Sequence, residues 1–501
     1  MPPSWRAERM SRPAPPRTFY WFDYETFGTS PRWDRPAQFA GQRTDLQLRP
    51  IGEPDTFHCR LSDDYLPDPG ACRITGICPD TVQAHGLCEA RFIERAVGHL
   101  GAPGTISVGY NSIRFDDEFT RHTLYRNLHD PYAWEWRDDN SRWDLLDVMR
   151  LTRALRPDGL QWPVGEDDQP INTLEALAAA NGVGHARAHD ALSDVEATIG
   201  LARALRTAQP RLFDWLLAHR GKREADQLLD VRRREPVLLA SSRIPRERHH
   251  LGAIVPICRH PTLGSSVVVL DLHTDPDELP TLDVDALRAR MFCSAEELGA
   301  LPRIGVTSVK LNACPVLAPL ATLSDADAER LGMDRTRIAR RHARLIALLD
   351  GPEGAALIER LGAALDRDWS QEPSDVDGSL YGGSFLGTAD RQRLERLRAT
   401  LPGTKEPSPA ELTGFDDARL SEQVWRYRAR NWPDSLNADE RLAWQRHVAT
   451  RLHDERAPWL TFERFRHAVQ HTDWAPDQAA LRDSLQRWGK RLSARADRPR
   501  S

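Results

Sequence analysis

The chain has 501 residues, 40% hydrophobic and 28% charged, with a formal net charge of −5. At roughly 100 to 200 residues per domain this amounts to two to four packed domains, and it excludes a disordered chain or a fibre. No apolar run approaches the ~18 residues a membrane helix needs, and the longest, around Val267 to Leu272, are strand-sized, so no membrane span is expected.

The seven cysteines include no CxxC pair and follow no signal peptide, which argues against a disulfide framework or zinc ribbon and for a reducing cytoplasm. Only four of the 68 basic residues are lysine. A composition bias of the source genome explains so uniform a preference more simply than phosphate binding. A net acidic chain is not one that coats nucleic acid by bulk attraction, although a locally basic channel on an acidic body remains compatible with it.

In chain order, residues 1–17 carry Pro and Arg without periodicity and read as a disordered extension. From Thr18 the run TFYWFDYETFG is aromatic and β-branched and ends in glycine, which predicts a buried strand. Further strands are expected at DTFHCRL and GTISVGYN, and helices at ARFIERAVGHL, DDEFTRHTLYRNL, TLEALAAANG and DVEATIGLARALRT. Mixed strands and helices over 18–208 predict an α/β domain. Short apolar runs between Pro, Gly and His-rich turns predict a β-rich domain over 209–354. Charged helical patterns predict a helical domain over 355–480 and a charged tail over 481–501.

Asp23 and Glu25 stand two apart on the first strand, so both side chains leave the same face. Like charges that close repel unless both face solvent or a hard divalent cation lies between them. Taken alone the pair is weak evidence, because many exposed strands carry it. A second element, GYNSIRFDDE, places Asn111, Phe115 and Asp116 where a strand leads into a helix. A third, AHDALSDVEATIGLARAL, places His189 five residues before Asp194 at the head of an amphipathic helix. Singly, His189 reads as a capping or solvated histidine, and Asp190 and Asp194 as charges that favour a helix N-terminus.

Together the three elements resemble the DEDD exonuclease superfamily in its histidine subclass. The resemblance implies that Asp23, Glu25, Asp116 and Asp194 are metal ligands for two Mg2+ ions, with Mn2+ a substitute, and that His189 is the general base. Asp116 is preferred to Asp117 because the superfamily's aspartate directly follows the phenylalanine. ITGI at residues 74–77 resembles the segment that helps form the terminal-nucleotide pocket. The implied substrate contacts are Glu25, Thr26, Phe27, Ile77, Asn111 and Phe115.

Nearly 300 residues follow the acidic motifs. DRPAQFAGQRTD, SRWDLLDVMR, RPDGL, QPRLFDWLLAHR, NACPVLA and WRYRARNWP resemble the exodeoxyribonuclease I family from about Thr18 to about residue 475. That resemblance implies a ribonuclease-H-like α/β exonuclease domain, an SH3-like β-rich domain and a helical C-terminal domain. It further implies a monomeric cytoplasmic enzyme of DNA repair and recombination, degrading single-stranded DNA from its 3′ end to 5′-mononucleotides. An RNA-trimming 3′-to-5′ exoribonuclease of the same superfamily is the alternative. A decayed, non-catalytic scaffold is disfavoured, since all five acidic and histidine positions are filled.

Single-strand selectivity needs a groove lined by cations and aromatic rings. Tyr132, Trp134, Trp136 and Trp143 are candidate stacking surfaces, with core packing as the competing reading. YRARNW, Tyr427 to Trp432, suits a channel wall or Arg-on-aromatic packing, and the wall is slightly favoured. The arginines at 335, 337, 340, 341 and 344 form a helical stripe, read first as a solvated face. Family resemblance also implies docking of the acidic, hydrophobic-ended C-terminal tail of bacterial single-stranded-DNA-binding protein, with Arg156, Trp215 and Arg335 as candidate contacts.

Overall fold

The structure is a computed structural model that describes residues 16–184, 190–366, 375–382, 386–401 and 412–496. The N-terminal extension through residue 15 and His189 therefore lie outside the described residues. The chain divides into two compact units, one formed by residues 1–141, 186–196 and 371–501, the other by 142–185 and 197–370. These units do not follow the three expected segments: residues 371–501 group with 1–141, residues 142–185 group with 197–370, and the division between 196 and 197 falls within the helix Ala191–Ala208.

The first unit is built on strands β1 (Thr18–Thr26), β2 (Pro36–Thr44), β3 (Asp55–His58) and β4 (Thr105–Gly109). They lie in the order β3-β2-β1-β4, and β5 (Ser141–Asp144) ends the sheet where the chain passes into the second unit. β1 pairs antiparallel with β2 and parallel with β4. As a central strand covered on both faces it can be apolar almost throughout. Tyr20, Phe22 and Tyr24 point into a core with Phe39, Phe57, Phe92 and Leu124. On the alternate residues Phe19 and Trp21 fill the opposite face, where the Trp21 indole donates to Thr44 Oγ1 at 2.9 Å. Asp23 and Glu25 continue that second face at the C-terminal end of the strand.

The C-terminal helices belong to the same unit and close a second core. Phe27, Leu61, Tyr65 and Leu66 pack with Trp444, Leu452, Phe462, Phe465, Leu485 and Trp488. This corrects the expected charged tail: the helix Ala479–Ala496 buries Leu481, Leu485, Trp488 and Leu492, and the Trp488 indole donates to the Tyr65 carbonyl at 3.1 Å. Spacings of four, three and four residues place those side chains on one helical stripe. Trp488→Ala is expected to cost about 3–5 kcal/mol through the cavity it leaves, measured as a lowered urea midpoint. An unchanged midpoint would contradict this packing.

The second unit contains β6 (Val237–Ala240), β7 (Leu251–Arg259), β8 (Ser266–Asp271), β9 (Val306–Lys310) and β10 (Val316–Pro319), all antiparallel, in the order β10-β6-β7-β8-β9. Leu239, Ile254, Val267, Val269, Val309 and Leu317 fill its core. The expected classes are borne out: mixed α/β first, a small β-rich SH3-like body next, helices last. Among the described residues no helix is long and apolar enough to cross a membrane. All seven cysteines are free thiols.

Candidate metal centre

Three elements bring the four candidate carboxylates together. Strand pleating puts Asp23 and Glu25 on one face two residues apart, opposite Ala40 and Gln38 of β2. A register shift between Glu25 and Thr26 then bends the strand out of the ladder. Asp194 sits in the first turn of Ala191–Ala208. One carboxylate oxygen from each of Asp23, Glu25 and Asp194 lies within 4.8 Å of the other two.

Asp116 opens the helix Asp116–Arg126, which β4 reaches through Asn111, held in the left-handed region at φ 64°, and a short 3-10 turn. Its Oδ1 accepts from the Tyr24 N–H at 3.1 Å, which carries the carboxylate to β1 between the two acidic residues. Asp116 and Asp117 are both buried, but Asp116 is the charge that presses hardest on Asp23.

The electrostatics are those of crowded anions. Burial first, then Asp116, Glu25 and Asp194, hold the Asp23 carboxyl well above its ordinary range. Glu25 is pushed up to about 8 by burial, then by Asp194 and Asp190. Hard oxygen donors set this close, destabilised as anions by one another, fit a hard divalent cation better than any arrangement of protons.

The remaining candidates are dispersed. Thr26 is buried, its hydroxyl donating to the Gly28 carbonyl at 2.7 Å. Asn111 is exposed and Phe115 half-buried, its ring 4.9 Å from that of Phe119. Phe27 requires a correction: it is 0% exposed in the second core, so its side chain supports the site from within and does not face substrate. In the ITGI segment the structure exposes Ile74 at 53% and buries Ile77 at 7%, because the helix Pro69–Thr75 ends between them at Gly76. Within that segment the sequence reading singled out Ile77, whereas Ile74 is the exposed side chain.

Of the aromatic candidates, Trp134 and Trp143 are core residues and Tyr132 is half-buried, while Trp136 is 63% exposed. YRARNW is corrected more strongly. The side chains of its Arg428 and Arg430, and of Arg426 just before it, are buried and paired with Glu440, Asp64, Asp377 and Asp375, so they bind carboxylates inside the protein and form no channel wall.

The three tail-binding candidates all lie in the second unit. Arg156 reaches Asp327 at 3.4 Å and Arg335 reaches Asp325 at 2.7 Å, so both cations are engaged by the short helix Asp325–Arg330. Trp215 lies apart from them in sequence on Pro210–Ala218, its ring stacked on His219 at 3.4 Å. A tail carboxylate would compete with Asp325 and Asp327 for those arginines.

A sheet whose central strand delivers a DxE pair, closed by two helix-borne aspartates, defines a carboxylate-dependent nuclease, and residues 20–202 match the family described as exonuclease. Residues 220–353 match the exonuclease I SH3-like domain and 374–492 the exonuclease I C-terminal domain. The chain belongs to the exodeoxyribonuclease I family. It is 43% identical to exodeoxyribonuclease I of Escherichia coli K12 over 431 residues, covering 86% of this chain and 89% of that one. Among solved structures it is similar to exonuclease I of Methylocaldum szegediense, with a TM-score of 0.87 and 44% identity over 95% of this chain and 99% of that one. It is equally similar in fold to E. coli exonuclease I in complex with a dA16 oligonucleotide, with a TM-score of 0.87 and 39% identity over 95% of this chain and 100% of that one.

Proposed function

We propose that this chain is a divalent-metal-dependent exonuclease that removes 5′-mononucleotides from the 3′ end of single-stranded DNA, in repair and recombination. The carboxylate triad within 4.8 Å carries the reading, in a chain that matches one nuclease family along nearly its whole length. Two Mg2+ ions, or Mn2+ in their place, would supply a water acidic enough to attack at neutral pH and positive charge against the phosphate. Asp23, Glu25 and Asp194 would hold them, with Asp116 in support.

The protein's own part is positional. β1 presents two carboxylates at a fixed pleat spacing, and the Tyr24 N–H orients Asp116. His189, five residues before Asp194 in the sequence, would take the proton from the attacking water, as a neutral imidazole near its ordinary pKa of about 6.5 can. The exposed Trp136 and Ile74 are surfaces on which unpaired bases can stack or lean.

The known oligonucleotide complex of the E. coli relative supports the DNA substrate. A solved structure of SSB/exonuclease I with an inhibitor, 39% identical to this chain, supports the tail of single-stranded-DNA-binding protein as a partner. Seven free thiols agree with a reducing cytoplasm, where the enzyme would work as a monomer.

The test is digestion of matched 3′-labelled single-stranded DNA, duplex DNA and RNA, with Mg2+ and then with EDTA. Mononucleotide release from single-stranded DNA alone, abolished by EDTA, is the expected result. Preferential digestion of RNA would replace this reading with the exoribonuclease one, and EDTA-resistant cleavage would overturn the metal centre.

A further inference from the structure

Three ligands on two separate elements need something to fix the distance between those elements. Asp23 and Glu25 ride on β1, whereas Asp194 rides on a helix that begins after a long excursion of the chain. Gln38 of β2 ties the start of that helix to the sheet.

Gln38 stands directly opposite Glu25 in the β1–β2 ladder and opposite His58 in the β2–β3 ladder. It is buried, with 9% of its surface exposed. Its Oε1 accepts from the N–H of Ala191, the first residue of Ala191–Ala208, at 3.3 Å. Its Nε2 lies 3.5 Å from Nε2 of His58.

Only one orientation of the amide suits these partners. The Ala191 N–H is one of the donors that a helix start leaves without an intrahelical acceptor, so the amide oxygen must face it. The amide nitrogen then faces His58, which burial and the neighbouring His85 keep toward the neutral form, with a ring nitrogen able to accept.

We infer that Gln38 is a positioning residue of the metal centre: its amide locks the head of the helix bearing Asp194 to the strand pair bearing Asp23 and Glu25, and so sets the spacing of the three ligands. The inference rests on the metal-dependent reading above. Gln38 touches no reacting group and acts through Asp194. Partners that orient metal ligands commonly change affinity by about 10- to 100-fold when removed.

The test uses the full chain and two substitutions on either side of one hydrogen bond. Gln38→Leu removes the acceptor at nearly constant size. Ala191→Pro removes the donor, and proline suits the first position of a helix, where its missing N–H costs no intrahelical bond. Mn2+ binding is measured by titration calorimetry, and kcat and KM on single-stranded DNA are measured separately. Each single variant is expected to bind Mn2+ about tenfold more weakly. Each should also lose kcat, with KM for DNA held within about twofold, the signature of a displaced ligand and not of a lost substrate contact. The double variant is expected to lose no more than Gln38→Leu alone, because both substitutions remove the Ala191 bond and only Gln38→Leu also removes the contact with His58.

Wild-type Mn2+ affinity in both single variants, or fully additive losses in the double, would overturn the role of Gln38. Should Gln38→Leu fail to fold, as read from its thermal melt, Ala191→Pro decides alone. Failure of the wild-type protein itself to bind Mn2+ would overturn the metal centre instead, so the two failures are distinguishable.

Discussion

Asp23→Asn is expected to abolish nuclease activity and, at the same time, to raise the melting temperature of the metal-free protein. The loss should be about a thousandfold or more, since metal stabilisation of a phosphoryl transition state is worth several kcal/mol and each 1.36 kcal/mol is tenfold in rate. The gain in stability has the same origin. Glu25 titrates near 8 in the folded protein against an ordinary 4.5, and Asp23 is raised as well.

A carboxylate whose folded pKa is raised binds its proton more tightly when folded, so metal-free stability is highest below the unfolded value and falls as pH rises from about 4.5 to about 8. Replacing Asp23 removes the cost of ionising a buried carboxyl beside Asp116, Glu25 and Asp194, and a gain of roughly 1 kcal/mol would appear as about 1–2 °C in a body of this size. Metal reverses the slope, because the cation binds only the deprotonated carboxylates. Calorimetric scans of wild type and variant with EDTA and with Mg2+, between pH 5 and 8, measure both effects. A variant that melts lower than wild type in EDTA, or that keeps a tenth of the wild-type rate, would refute the assignment.

Asp377→Asn is expected to be the most destabilising polar substitution in the first unit, by about 3–5 kcal/mol, the cost of leaving buried cations without their counter-charge. Asp377 is 0% exposed and reaches Arg430 at 2.5 Å, Arg426 at 3.1 Å and Arg35 at 3.8 Å. Arg430 also holds Asp64 at 2.7 Å, and Arg451 reaches Asp375 at 3.4 Å. Burial alone would raise the Asp377 carboxyl, but Arg430 and Arg426 outweigh it and hold it well below the ordinary range, and Arg430 and Arg451 do the same for Asp64.

Depressed carboxylate pKa values give stability that is fully present above the ordinary value of 3.8 and is lost as pH falls below it. Urea denaturation from pH 7 down to pH 2 should therefore show wild type converging on Asp377→Asn at the acid end. Parallel curves would show that the cluster contributes no pH-dependent stability.

What the sequence revealed and what it hid divide along the range of the interactions involved. The DxE pair was legible because its geometry is local: period two on a strand puts both carboxylates on one face. The fold class was legible for the same reason, from runs such as TFYWFDYETFG and the apolar stretch around Val267 to Leu272. YRARNW misled because the partners of Arg430 lie far away in the chain, Asp377 at 53 residues and Asp64 at 366, and that of Arg428, Glu440, sits on the next long helix. No composition pattern announces them. Trp134 and Trp136 are nearly adjacent, and only tertiary packing buries one and exposes the other.

The stripe through Leu481, Leu485, Trp488 and Leu492 was present in the sequence, obscured by the charges between its members. Gln38 was invisible for another reason. A neutral amide carries no chemical signal until the strand register sets it opposite Glu25 and beneath the start of a helix.

The buried arginine–aspartate cluster also orders the steps by which the molecule can be made. Asp64, Glu89 and Arg35 leave the ribosome early, while Asp377, Arg430 and Arg451 are among the last third of the chain to appear. At about 5–20 residues per second the early charges wait tens of seconds for their partners. Through that interval the nascent exonuclease segment cannot bury them, and its second core lacks Trp444, Phe465 and Trp488. The two faces of the first unit thus differ in timing: the core around Tyr20, Phe22 and Tyr24 draws only on residues made early, whereas the second core and the charge cluster wait for the last third of the chain.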